Sequence, residues 1–281
     1  MPPFLESLEK DSVFIFLVSS MAAVGLKLTP RAVFEPLRKG KMVLLAVVLN
    51  FAFAPAFAWL LTLIIPLQHE HAVGLILLSG AAGAPFLPKL VETARGDLSL
   101  AIALMGLLTI GTILFLPFAL PLMIPGLHAD PWNIARPLLL LIVLPLVAGM
   151  LVKSLGPAFA TRAAPLFAKA GNLSLLLLFV LLVALNLRAV LGVVGSGAIL
   201  AAILYMFGLF VAGWVTGGPK HETRGVLGLA TSARNFGAAL VPAASNFSDP
   251  RVTTMLIVSA IVGLVVTFLA AAWVRRRTAV L

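Results

Sequence analysis

The chain has 281 residues, of which 61% are hydrophobic and 11% charged, with a formal net charge of +10. A mean hydropathy of +1.13 excludes an ordinary soluble domain and points to repeated membrane crossings. The absence of cysteine excludes disulfides, thiolate metal sites and cysteine nucleophiles.

Apolar runs predict nine spans, at about 11–29, 41–65, 72–94, 98–124, 133–155, 167–190, 195–217, 225–247 and 251–274. Each is long enough for a hydrocarbon core about 30 Å thick. The first run follows Glu6, Glu9, Lys10 and Asp11, which is not the basic start of a cleaved leader, so it is expected to stay as a membrane helix. Basic residues mark alternate loops: Arg31, Arg38, Lys39 and Lys41; Arg95; Lys153, Arg162 and Lys169; Lys220 and Arg224; and Arg275 to Arg277. The opposite loops carry only Arg188 and Arg251. The expectation is a multi-pass protein of a bacterial inner membrane, N-terminus outside and C-terminus cytoplasmic. Charge placed between helices in this way does not make a nucleic-acid surface.

Two spans are interrupted. Gly83-Ala84-Pro85-Phe86-Leu87-Pro88-Lys89 lies within the third, and Pro85 and Pro88 each remove a backbone donor and clash with the preceding turn. Ala230 to Gly237, closed by Pro242, interrupts the eighth. Broken backbone at membrane depth is tolerated only where it lines a cavity within the protein. The spans divide into a first repeat (11–124), a linking helix (133–155) and an inverted second repeat (167–274). Each repeat has its third helix broken, which is the arithmetic of alternating access. The fold expected is therefore an all-α polytopic membrane protein, a single transporter domain with a 4+1+4 inverted repeat. Pro55, Pro117, Pro121 and Pro145 either kink their spans or reflect the general abundance of proline in membrane helices.

Few polar groups lie deep. Arg234 falls about ten residues into its span, too far for easy snorkelling, and is expected to point into the protein, either as a site residue or as part of a structural ion pair. Thr231, Ser232 and Asn235 beside it, and Asn50 in the second span, either contact substrate or join helices. Lys89 either faces the crossing of the broken helices or snorkels to the surface paired with Glu92; Glu92 and Lys89 are also the candidates for proton coupling. The half-helix N-termini at Pro85–Lys89 and Ala233–Gly237 favour an anion. His69-Glu70-His71 lies in a short outer loop without a third ligand nearby, so no metal site is expected. No paired carboxylates or His–Glu motif in the spans suggests an enzyme.

Gly25-Leu26-Lys27-Leu28-Thr29-Pro30, Gly74-Leu75-Ile76-Leu77-Leu78 and Ala94-Arg95-Gly96-Asp97-Leu98-Ser99-Leu100-Ala101 resemble the bile acid:sodium symporter family. Gly228-Leu229-Ala230 and Arg234-Asn235-Phe236-Gly237-Ala238-Ala239-Leu240 continue the resemblance. It implies a nine-helix form with a panel domain and a core domain, the core holding the third and fourth spans (about 72–124) and the eighth and ninth (about 225–274). It also implies where sodium ligands would stand, and there the chain departs. Ala230 replaces a glutamate, Arg234 a glutamine, Leu87 and Pro88 a Ser-Asn pair, Ala101 and Met105 hydroxyl residues, and Asn50 a glutamine. A fixed cation at Arg234 is then expected to supply the charge that sodium supplies reversibly.

The function expected is secondary transport of a small organic anion by alternating access, with sodium coupling absent or weak and no cofactor. Pro85, Pro88, Lys89, Thr231, Ser232, Arg234, Asn235 and Asn50 are the candidate binding residues. The alternatives are a sodium-coupled organic anion symporter and a membrane ligand sensor that does not transport.

Overall fold

The computed structural model describes residues 3–29, 40–124, 131–185 and 191–278. The loop bearing Arg31, Arg38 and Lys39, most of the Gly126–Trp132 loop, and Arg188 lie outside the described residues. Every regular element among those described is helical. In chain order these are α1 (Pro3–Lys27), α2 (Gly40–Ile64), α3 (His69–Gly80), α4 (Leu87–Thr93), α5 (Leu98–Met123), α6 (from Pro131 through Leu155), α7 (Pro157–Leu185), α8 (Ala198–Thr216), α9 (His221–Ser232), α10 (Phe236–Asn246) and α11 (Pro250–Thr278). By length and composition five candidate spans stand out among the described residues: Gly40–Ile64, Leu98–Met123, Ile134–Leu155, Ala198–Thr216 and Pro250–Arg277. Side chains spaced by four on α5 (Ile110, Leu114, Phe118, Leu122) are exposed and apolar, as a lipid-facing stripe requires.

The sixth expected span starts earlier than its apolar run does. α7 begins at Pro157 because Ala160, Ala163 and Ala164 bury themselves with Leu26 in a small separate cluster. Two prolines leave a clear mark. α2 widens into a π turn over Leu49–Phe53 just before Pro55, and α6 does the same over Leu139–Val143 before Pro145. Proline has no N–H to continue the ordinary ladder, and the extra residue in the turn absorbs the mismatch. Pro117 and Pro121 instead sit within the single helix α5.

The helices fall into two packed groups. α1, α6 and α7 pack on one another, while α3, α5, α8, α9 and α11 form the other group. α2 also packs with this second group, against α3, α5 and α8. The broken pairs α3/α4 and α9/α10 lie within it, and α1 touches them at α10.

Candidate functional site at the crossing of the broken helices

The first break runs over residues 81–86, slightly before the stretch expected from the prolines. α3 stops at Gly80 and α4 starts at Leu87. Its pivot is Gly83, whose φ of +78° favours glycine. A Cβ there would also run into the backbone and hydroxyl of Thr109 on α5. The opened backbone is held by α5 side chains. Ala82 N–H donates to Thr112 Oγ1 at 2.8 Å, Thr112 Oγ1 donates to Ala82 O at 3.1 Å, and Thr109 Oγ1 donates to Gly83 O at 3.0 Å. Thr109 and Thr112 are thus site residues that the sequence reading did not single out. Their signal was available as two hydroxyls three apart on one buried helix face, although Thr109 Oγ1 also lies 2.7 Å from Met105 O of its own helix.

The second break is shorter, residues 233–235, between Ser232 and Phe236. Asn235 stitches it to the first. Its N–H donates to Ala81 O at 3.0 Å, its Nδ2 to Gly83 O at 3.2 Å, and its Oδ1 accepts from Ala238 N–H at 3.0 Å, capping α10. Thr231 and Ser232 are fully buried, and their hydroxyls donate back to Leu227 O (2.7 Å) and Leu229 O (3.4 Å) of their own helix.

Arg234 occupies the centre and has no solvent exposure. Its Nε donates to Leu78 O at 3.3 Å, its Nη1 to Asn50 Oδ1 at 2.8 Å and to Thr231 O at 3.4 Å, and its Nη2 to Ser79 O. The π turn in α2 carries Asn50 to this position, where its Nδ2 is fixed on Ala46 O at 2.9 Å. Among the described residues no carboxylate pairs with Arg234; the ion pairs lie elsewhere. The counter-charge comes from backbone. Leu78 and Ser79 are in the last turn of α3, and Thr231 is in the last turn of α9. Two helix C-termini each carry about half a negative charge, so together they offset one guanidinium. Tyr205, the single tyrosine of the chain, lies fully buried on α8 within electrostatic range of Arg234, and its hydroxyl has no hydrogen-bond partner among the described residues.

Lys89 and Glu92 are not brought to this centre. α4 buries Leu87, Leu90 and Val91, and that leaves Lys89 on the outer side, 70% exposed and paired with Glu92 at 2.9 Å. The short helix fixes this, because Lys89 stands in its first turn one position before the buried Leu90. Of the two readings of Lys89, the structure takes the surface pair. Pro85 lies in the break and Pro88 in the first turn of α4, both partly buried.

Comparison with known proteins follows the same line. The model of the "Sodium Bile acid symporter family" matches residues 14–193, which is more than half of the chain. The chain belongs to the sodium bile acid symporter family. A curated relative, the "Uncharacterized sodium-dependent transporter YocS" of Bacillus subtilis (strain 168), is 30% identical over 146 residues. That stretch is 50% of this chain and 44% of the relative, so the match spans about half of each. Membership of a symporter family agrees with the reading of a transporter rather than an enzyme. The family match ends before α9 and α10, so Arg234 lies beyond it.

Proposed function

We propose that the protein is a secondary transporter of a small organic anion that works by alternating access without sodium coupling. One observation carries the reading. Arg234 fills an oxygen-lined position, made of Leu78 O, Ser79 O, Thr231 O and Asn50 Oδ1, of the kind a bound monovalent cation would use. Guanidinium stays charged when buried, so the positive charge at the crossing is permanent. It acts on the anion mainly through the field, since four of its five N–H donors are committed to protein acceptors.

In this reading the chain crosses the membrane nine times. The broken pairs α3/α4 and α9/α10 each make one crossing, the two halves are inverted repeats, and the N-terminus is outside. α1, α6 and α7 form the panel against which the other helices move. The anion enters between the two groups, where Phe16 and Leu17 of α1 pack over Gly237 at the start of α10. Asn235, Ser232, Thr231, Asn50, Pro85 and Pro88 shape the crossing behind it.

The second reading is sodium symport, favoured by the name of the B. subtilis relative. Apparent melting temperature of the purified protein with a panel of organic anions, in sodium and in potassium buffer, separates the two. A ligand specific for the folded state raises stability by about RT ln(1 + [L]/Kd). Stabilisation by an anion, equal in the two buffers, supports the sodium-independent cycle. Anion stabilisation that requires sodium replaces it with symport.

A further inference from the structure

The start of α3 carries a second cluster, away from the crossing. Arg251, at the beginning of α11, pairs with Glu70 at 3.0 Å and with Asp249 at 2.6 Å. Asp249 Oδ1 also accepts from Arg251 N–H at 2.9 Å, closing a tight turn before α11. His71 stands beside this group and is 97% buried, since only 3% of its surface is exposed. Its Nδ1 is enclosed and has no partner among the described residues. One turn further along α3, Gly74 packs against Val252 O and the Met255 side chain, so the two helices are in contact just below the cluster. Glu70 on its own helix, and Asp249 and Arg251 at the start of α11, are the charged groups that act on His71. A buried ring nitrogen without a partner among the described residues, in the field of two carboxylates and one guanidinium, is a point where a proton would add a charge that the ion pairs must answer, which a fully structural role does not require.

We propose that His71, with Glu70, Asp249 and Arg251, is a proton-binding site on the outer end of α3. When Nδ1 takes a proton, the imidazolium needs an acceptor and competes with Arg251 for the Glu70 and Asp249 carboxylates. It also repels Arg251, which loosens the attachment of α3 to α11. The consequence reaches the crossing, because α3 is a single rigid helix of 12 residues whose other end supplies Leu78 O and Ser79 O to Arg234. The site stands whichever anion is carried, and holds even for a protein that binds without transporting. Its direction is set by the ground state. Burial, and then the Arg251 charge, hold the His71 imidazole in its neutral form, with its pKa below the ordinary value. A lowered histidine pKa contributes stability above the unfolded value, near 6.5, and that stability is lost as pH falls through the folded value.

The test uses the full chain in nanodiscs. Exchange of the imidazole C2 hydrogen, read by mass spectrometry between pH 5 and 8, reports the titration of each histidine. The exposed neighbour His69 is removed by H69Q, so that His71 is read alone. The expected result is a titration below the ordinary histidine range that moves up in H69Q/R251Q, together with an apparent melting temperature that falls from pH 7 to pH 5 in H69Q and not in H69Q/H71Q. A His71 that exchanges as a free histidine does, or a titration that R251Q leaves in place, overturns the proposal. If H71Q does not fold, the exchange measurement on H69Q and H69Q/R251Q decides alone.

Discussion

Arg234→Gln is the perturbation that tests the permanent-cation reading most directly. The change removes a unit charge from a site with no exposure and leaves the acceptors Leu78 O, Ser79 O and Asn50 Oδ1 without their donor. Each buried acceptor left without a donor costs about 1–3 kcal/mol, and part of that sum is returned because a guanidinium no longer has to be desolvated, which leaves about 3–5 kcal/mol. The glutamine amide can reach one acceptor, which offsets about 1 kcal/mol of that. The net expectation in potassium buffer is a loss of about 2–4 kcal/mol, visible as a clear drop in apparent melting temperature. The vacated position then holds three backbone carbonyls, Asn50 Oδ1 and the new amide oxygen at the negative ends of two helices, a set suited to a hard monovalent cation. Sodium should therefore restabilise R234Q: a ligand at about 100 times its Kd recovers about 2.7 kcal/mol. Wild type should show no such response. Anion binding should be lost in R234Q without sodium and partly restored with it. If R234Q melts like wild type, or wild type itself is stabilised by sodium, Arg234 is not the substitute cation.

Four smaller changes probe the supporting residues. Asn50→Leu removes the side-chain acceptor of Nη1 and should cost about 1–3 kcal/mol; unchanged melting would mean that Asn50 does not hold Arg234. Gly83→Ala forces a Cβ into Thr109 at a positive φ, and purified G83A should melt several degrees lower or fail to assemble; wild-type stability would exclude the described break. Lys89→Met disrupts only the exposed pair with Glu92 and should leave anion stabilisation unchanged, whereas weakened binding would return Lys89 to the site. Tyr205→Phe removes a buried hydroxyl that has no partner among the described residues, so Y205F should be at least as stable as wild type; a lower melting temperature would show that the hydroxyl is bonded through water or to the anion.

The all-helical character and both interruptions were legible because their causes are local: apolar runs, prolines and a positive charge deep within an apolar stretch. The depth of Arg234 needed only counting. What surrounds it was not legible, because its acceptors are backbone carbonyls, which every residue has. Leu78 and Ser79 matter for where α3 ends, and that end falls before Pro85, not at it. The role of Asn235 was half visible: a polar residue at the break, but with its three bonds spent on joining the helices. Lys89 was undecidable from sequence because its face depends on the phase of a helix only seven residues long. The π turn that aims Asn50 is likewise set by the interplay of Pro55 with tertiary packing, and proline alone does not distinguish a kink from a wide turn.

A fixed guanidinium has an energetic consequence that a dissociable sodium ion does not. In the proposed cycle the loaded carrier, cation plus monovalent anion, is close to neutral, and the empty carrier bears one positive charge. Whatever fraction of the field Arg234 crosses as the helices move, the membrane potential acts on the empty form, by up to about 2.3 kcal/mol per 100 mV. With the interior negative, the empty carrier is drawn to its inward-facing state, so inward movement of the anion is opposed and outward movement is favoured. Sodium symport escapes this, because the cation leaves with its substrate. A carrier that keeps its cation must exchange one anion for another, run outward with the potential, or bring in a proton that compensates the charge. Under the two proposals above, the cluster around His71 would supply such a proton at the start of the helix whose other end holds Arg234. Reconstituted vesicles with a potassium diffusion potential separate these cases: anion exchange is indifferent to the potential, net outward flux rises with it, and proton-coupled uptake follows the pH gradient and loses that dependence in H71Q.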